Sequence, residues 1–315
     1  MTPRERQKMD LALARFAEAM EAWNWSKRTV TTYRECVGYL LDWICAETDL
    51  DWLGQVTPDT LSSYQVALVS FERKDGSRLA SATQHLRLTA VKAFFRYLAE
   101  SGHLLTNPAT QLSLPRRRRS LPQALLSPKE AARLIEATET KTPLGLRDRA
   151  ILEVLYASGI RNAELRALCL SDFDPEAGTL TIRAGKGNKD RVVPLGPLAS
   201  AVLSDYIAQS RPVLLGQKRD VTLFLSKRGR PIHSVNLAGL VAKAARRAGI
   251  GKPIRPHRLR HACATHMLKG GADIRHIQKM LGHASLASTQ IYTHVEISDL
   301  KAVHRKFHPR ERQRR

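Results

Sequence analysis

Between residues 107 and 128 the chain carries Pro108, Pro115, Pro122 and Pro128 together with the run Arg116 to Arg119. Each proline removes a backbone donor and clashes with the preceding helical turn, and neighbouring guanidiniums repel one another. No continuous helix can cross this stretch. It reads as an extended basic linker (107–128), and the segments on either side, 1–106 and 129–315, must build separate cores. The length of 315 residues agrees, since domains usually take about 100–200 residues each. An apolar content of 43% lets both segments bury a core, which excludes a wholly disordered basic protein.

Charge separates the two segments. Residues 1–110 hold 13 Lys+Arg and 13 Asp+Glu, whereas residues 111–315 hold 38 and 16, so the whole excess of +22 lies in the second part. Such a field attracts polyanions, of which DNA and RNA are the commonest in a cell. A solvated charged face without a partner is the alternative, and charge alone names no reaction. The N-terminus, MTPRERQKMD, has no apolar h-region, and no run approaches the roughly 18 apolar residues of a membrane span. Cys36, Cys45, Cys169 and Cys263 are scattered without C-x-x-C spacing, which suits a reduced, cytoplasmic protein better than a disulfide or zinc framework.

Residues 1–106 read as a helical bundle. Leu11, Ala14, Phe16, Ala19 and Met20 keep a 3.6-residue period. Ser26 caps a second helix with Val30, Tyr33, Val37, Tyr39, Leu40, Trp43 and Ile44. Thr57-Pro58 opens a third through Leu61, Tyr64 and Leu68. Ser81 begins a fourth, with Leu86, Val91, Phe94, Phe95 and Leu98, ending near Ser101-Gly102. Beyond the linker, helices are expected near 129–139, 145–158, 197–209, 234–248, 258–269, 273–281 and 286–293, with strands at 179–184 and 191–195. The strands form a hairpin with a lysine-rich tip, Gly185 to Asp190. The fold class is mainly α with a small β-sheet, the second domain being α+β.

Four polar segments stand out. In Ser158-Gly-Ile-Arg-Asn-Ala-Glu-Leu165 a glycine ends one helix and Arg161 starts the next, where backbone N–H groups and the guanidinium both favour an anion. The hairpin tip holds Lys186 between two glycines. In Pro256-His-Arg-Leu-Arg-His261, His257 and Arg260 share one helical face while Leu259 turns to the core. The last segment is Leu281-Gly282-His283, with Tyr292 nine positions later in Gln290-Ile-Tyr-Thr-His294. Each taken singly is weak: a surface arginine, a hairpin tip and a core tyrosine would look the same.

In this order the segments resemble the catalytic set of the tyrosine recombinases, the phage-integrase family, and most of all its Xer branch. The motifs Gly-Ile-Arg-x-x-Glu-Leu, Gly-Lys-Gly-Asn-Lys-x-Arg-x-Val-Pro-Leu, His-x-Leu-Arg-His, Leu-Gly-His and Tyr-Thr-His are all present. The resemblance implies a helical, SAM-like core-binding domain, a linker and a catalytic domain that close on duplex DNA as a clamp. It implies Arg161 and Arg260 as phosphate-binding arginines, Lys186 as the hairpin lysine, His257 and His283 as the two histidines, and Tyr292 as the nucleophile. Forked guanidiniums suit the charge that builds on non-bridging oxygens. A phenol with a pKa of about 10 becomes a nucleophile once its proton is taken or the site stabilises phenolate. A 3′-phosphotyrosine then stores the bond energy, so strands reseal without ATP. Lys186 is the candidate general acid for the departing 5′ oxygen, His257 the base or proton relay, and His283 a donor to the phosphate. Glu164 would orient an arginine or cap its helix, and His261 would buttress Arg260 or be a core histidine. No metal or other cofactor is called for, because the cations are supplied by side chains, and the spacing of His257, His261 and His266 alone is not read as a metal site.

The implied partners are duplex DNA with paired half-sites and identical or related protomers, a homo- or hetero-tetramer working through a Holliday junction in the nucleoid. The implied process is chromosome partition at cell division or the mobility of an element. The helical part starts near residue 8, so no additional arm-binding domain is expected. Arg161 and His257 stand 96 positions apart without an inserted segment before Pro256, which argues against an integron-type enzyme. An integrase or transposase with the same chemistry, and a non-catalytic DNA-binding protein, are the alternatives; type IB topoisomerases and RNA-binding modules fit less well. Past Tyr292, the apolar face Val295, Ile297, Leu300 and Val303 either enters a neighbouring protomer, as the resemblance implies, or folds back on its own domain. The tail Arg310 to Arg315 reads as disordered.

Overall fold

Helix starts in the first part are fixed by side-chain caps. Ser26 and Thr57 accept the backbone N–H groups of Thr29 and Thr60, and Pro58 occupies a first-turn position that has no intrahelical acceptor for an N–H. Each such cap contributes about 1 kcal/mol. The computed structural model describes residues 2–73, 75–115, 126–183, 190–282 and 297–312. It has α1 (Pro3–Ala22), α2 (Lys27–Glu47), α3 (Pro58–Ser70) and α4 (Ser81–Glu100) in the first of two units, Met1–Leu121 and Pro122–Arg315.

In α1 the buried stripe is Met9, Leu13, Phe16 and Met20, whereas Leu11 is 53% exposed. Leu11 lies two residues from both Met9 and Leu13, about 200° around the helix, so it cannot share their face. Tyr39 and Leu86, among the apolar residues of the second and fourth helices, also face outward, and the Arg87 guanidinium lies 3.9 Å from the Tyr39 ring centroid. The core forms where α2 packs on α1 and α4 through Val37, Leu40, Leu41, Ile44, Val91, Phe94 and Phe95.

The stretch expected as an extended linker begins folded. Asn107 Oδ1 accepts the Ala109 N–H, Lys92 Nζ donates to the carbonyls of Thr110 and Leu112, and Ala109 and Leu112 are buried in the first core. Proline forbids a helix here but permits turns, and burying these apolar side chains favours the folded form. Arg116 to Arg119 lie outside the described residues. At Leu126 the chain is buried again, now in the second core, and Ser127 and Glu130 form a capping box for α5 (Pro128–Glu136).

The second unit is built around α6 (Pro143–Ser158), buried at every residue from Ala150 to Ser158. A short α7 (Asn162–Ala167) follows, then β1 (Phe173–Asp174), β2 (Thr179–Ile182) and β3 (Arg191–Pro194). The strands form one antiparallel sheet in the order β1-β2-β3, with Leu180 opposite Val193 and Ile182 opposite Arg191. The β2–β3 hairpin is the expected one; its tip, 184–189, lies outside the described residues. Next come α8 (Pro197–Asp205), a π-turn over Tyr206–Ser210, α9 (Arg211–Leu215), α10 (Ser234–Arg247), α11 (Pro256–Lys269) and α12 (Ile274–Leu281). The helix expected at 286–293 falls outside the described residues. Among those described, no helix is long and apolar enough to cross a membrane.

The C-terminal segment folds back on its own unit. Val303 and Phe307 of α13 (Ile297–Phe307) pack on the second core, and His304 and His308 donate through Nε2 to the carbonyls of Ala157 and Tyr156 at 2.9 and 3.0 Å. Their rings stack with centroids 4.6 Å apart. Burial keeps both imidazoles neutral, His304 falling to about 4 and His308 well below its ordinary value. Arg310, in α14 (Pro309–Arg312), is not part of a disordered tail. It is 5% exposed and pairs with Glu153, itself fully buried in α6, and with Glu136 at 3.1 Å. Glu153 needs a cation because a lone carboxylate in a core costs several kcal/mol. Val303, His304, Phe307, His308 and Arg310 therefore pack on their own unit. Val295 and the side chains of Ile297 and Leu300 lie outside the described residues.

Candidate active site

The turn between α6 and α7 explains its own motif. Gly159 ends α6 with φ +61°, and a Cβ there would stand 2.7 Å from Leu281 Cδ2 and 3.3 Å from Cys263 Sγ. Only glycine combines that left-handed backbone with that close approach. Ile160 is buried, which leaves Arg161 as the residue preceding α7 and Glu164 in its first turn. Glu164 Oε2 accepts the Arg161 backbone N–H at 2.8 Å, and Oε1 accepts Arg161 Nη1 at 2.7 Å. The carboxylate thus both caps the helix and orients the arginine. It also occupies the backbone N–H of Arg161 itself, so what Arg161 can offer an anion is its guanidinium.

A second arginine arrives from α11. Pro256 begins this helix, Leu259 is fully buried, and Arg260 is only 4% exposed. Arg260 donates through Nη1 to Gly159 O at 2.6 Å and through Nη2 to Leu281 O at 2.8 Å. Burial, then repulsion from Arg161 and Arg191, brings its pKa down to about 10, so it is charged at neutral pH. His257 and His261 are exposed on the same helix, and no hydrogen bond joins His261 to Arg260 among the described residues. The expected buttress is therefore absent there, and His261 is no core histidine. His266 is the buried one, held by Tyr156 Oη at 2.9 Å and Leu126 O at 2.7 Å.

The end of α12 gathers these groups. Consecutive carbonyls of Met280, Leu281 and Gly282 accept from Arg191 Nε (3.0 Å), Arg260 Nη2 (2.8 Å) and Arg161 Nη2 (2.6 Å). These carbonyls lack intrahelical donors and carry the negative end of the helix dipole, which favours cations there. Arg191, at the start of β3, also forks onto Glu164, Nη1 to Oε1 at 3.0 Å and Nη2 to Oε2 at 2.7 Å. Burial alone would raise the Glu164 carboxyl, but the hydrogen bonds from Arg191 and Arg161 outweigh it and hold the group near 2. Gly282 has φ +64°, and a Cβ there would lie 3.1 Å from the Arg191 guanidinium, which is why a glycine precedes His283.

Three guanidiniums thus face one carboxylate. The cluster is cationic, and Arg161 and Arg260 each spend only two of five N–H donors on the bonds described. With Arg161 28% exposed, the arrangement can grip a tetrahedral oxyanion at its open side. Lys186, His283 and Tyr292 lie outside the described residues. Arg191 belongs to the hairpin motif and opens a strand, but neither signal in the sequence assigns it a place in the site.

Comparison with known proteins agrees with this chemistry. The family model for "Phage integrase family" matches residues 124–298. Tyrosine recombinase XerC 2 of Ralstonia nicotianae is 41% identical, over 94% of this chain and 85% of that protein. Tyrosine recombinase XerD of Listeria innocua is 37% identical, over 90% of this chain and 94% of that protein. In fold, the chain is similar to a lambda integrase dimer bound to a COC' core site, with a TM-score of 0.65 at 19% identity, over 97% of this chain and 78% of the other.

Proposed function

Since the chain belongs to the phage integrase family and is an Xer-like, site-specific DNA recombinase, we propose that Tyr292 attacks a phosphate held by Arg161 and Arg260 and forms a 3′-phosphotyrosyl intermediate. The observation that carries this assignment is the meeting of Arg161 and Arg260 on successive carbonyls of the turn that leads into His283 and, nine residues on, Tyr292. Two forked cations oppose the charge that develops on the non-bridging oxygens, while Glu164 keeps Arg161 in register. Lys186 protonates the leaving 5′ oxygen, His257 relays the phenol proton and His283 donates to the phosphate. Attack by the freed 5′ hydroxyl of a partner strand reverses the step and exchanges strands without ATP.

In this reading residues 1–106 bind the DNA core site, the second unit cleaves it, and identical or related protomers assemble as a tetramer on two duplex sites. The enzyme works in the cytoplasm, on the chromosome or an element it carries. The test is to incubate the chain with genomic fragments from its source, resolve covalent complexes on denaturing gels and sequence the attached DNA. Wild type gives an adduct that survives EDTA treatment, Tyr292→Phe binds DNA without one, and Arg161→Ala or Arg260→Ala loses about 3 kcal/mol of transition-state stabilisation, or roughly a hundredfold in rate. An adduct that persists in Tyr292→Phe refutes the nucleophile, and arginine variants cleaving within about tenfold of wild type refute the clamp.

A further inference from the structure

Among the described residues, the recombinase motifs include a charged side chain that the reaction as described leaves without work, Arg191. It has a larger share in the site than its place at the base of a hairpin suggests. Both Glu164 oxygens carry one bond from Arg161 and one from Arg191, so four donors saturate the carboxylate. The remaining Arg191 contact, Nε to Met280 O, grips the same turn whose next two carbonyls hold Arg260 and Arg161. Gly282 is hollowed out for that guanidinium, 3.1 Å from where its Cβ would be.

Resting on the cleavage reading above, we propose that Arg191 is a positioning residue for DNA cleavage: by fixing Glu164 and the Met280–Gly282 turn together, it sets the angle at which Arg161 and Arg260 meet the scissile phosphate. Arg191 does not touch the phosphate in this scheme. It joins α7, at whose start Arg161 stands, the turn after α12 whose carbonyls hold Arg161 and Arg260, and its own strand β3, which follows Lys186 in sequence. A planar fork with a third donor is required, because a lysine offers one point charge and cannot hold two carboxylate oxygens and a carbonyl in fixed directions. A buried ion pair that merely staples the hairpin would behave differently: breaking it would lower stability, and with it binding and cleavage in equal measure.

The experiment uses the full chain and the DNA site recovered by covalent trapping, nicked next to the cleavage position so that adduct accumulates. Arg191→Met, Arg191→Gln and Arg191→Lys are compared with the parent for thermal unfolding, DNA affinity by mobility shift, and single-turnover adduct formation from pH 5 to 8.5. Expected for Arg191→Met and Arg191→Gln is a rate loss of about 30- to 100-fold with affinity within about threefold, as for other small misplacements of reacting groups. Arg191→Lys recovers part of the rate. The rate of Arg191→Gln also falls more steeply on the acid side than the parent's, because Glu164 without its strongest partner takes up a proton and releases Arg161. Folded variants that cleave within about threefold of the parent overturn the proposal. So does a loss that affects binding and cleavage equally and leaves the pH profile unchanged, the signature of a structural staple. A parent chain that forms no adduct overturns the cleavage reading itself, and this proposal with it.

Discussion

Replacing Arg310 by Met tests whether the C-terminal segment is locked to its own unit. The Arg310 and Glu153 side chains are 5% and 1% exposed, so the substitution strands a carboxylate in the core of α6. Removing one partner of a buried pair costs about 3–5 kcal/mol. Arg149 still reaches Glu153 Oε1 at 3.2 Å and is itself 16% exposed, so the lower end, about 3 kcal/mol, applies here. In a unit of this size 1 kcal/mol moves the melting temperature by about 2–4 °C, which predicts a fall of about 6–12 °C. An arginine in a solvated tail would give within about 0.5 kcal/mol of no change. Thermal unfolding of the full chain, followed by circular dichroism, separates the two. The double variant Arg310→Met/Glu153→Leu removes both charges and should recover most of the loss. A shift under about 1 °C in the single variant, or a double variant no better than the single, refutes the buried-lock argument.

Acid should loosen the same segment. His304 has a folded pKa of about 4 against 6.5 unfolded, so its contribution is complete above pH 6.5 and is lost as pH falls, because the unfolded chain takes a proton that the folded chain refuses. The loss reaches about 3 kcal/mol at pH 4. His304→Gln should flatten this part of the curve of melting temperature against pH, and superimposable curves for variant and parent would contradict the assignment. Gly159→Ala should destabilise the second unit by about 1–3 kcal/mol, since its φ is +61° and the new methyl meets Leu281 at 2.7 Å. An unchanged melting temperature would show that neither constraint matters.

Much of the fold was readable because its signals are local. Ser26 and Thr57 cap the next turn, and the stripes ending in Met20 and Ile44 repeat within four residues. The alternation at 179–182 and 191–194 needs only neighbours to define a hairpin. Where a stripe was misread, as at Leu11 and Tyr39, the local pattern offered more apolar residues than one face can bury. The motif residues Arg161, Glu164 and Arg260 were legible as types, and their tertiary placement brings the two arginines to one turn with Glu164 bonded to Arg161.

What the residue order by itself determined is where helices begin, which residues form a strand pair, and that a large positive charge sits in the second part. Arg191 finds Glu164 across 27 positions, and Arg310 finds Glu153 across 157. The acceptors that gather the arginines are backbone carbonyls of Met280 to Gly282, which every residue type possesses and no sequence pattern marks. Long-range ion pairs and carbonyl acceptors depend on which surfaces meet after the cores have formed, so only the tertiary fold could choose them.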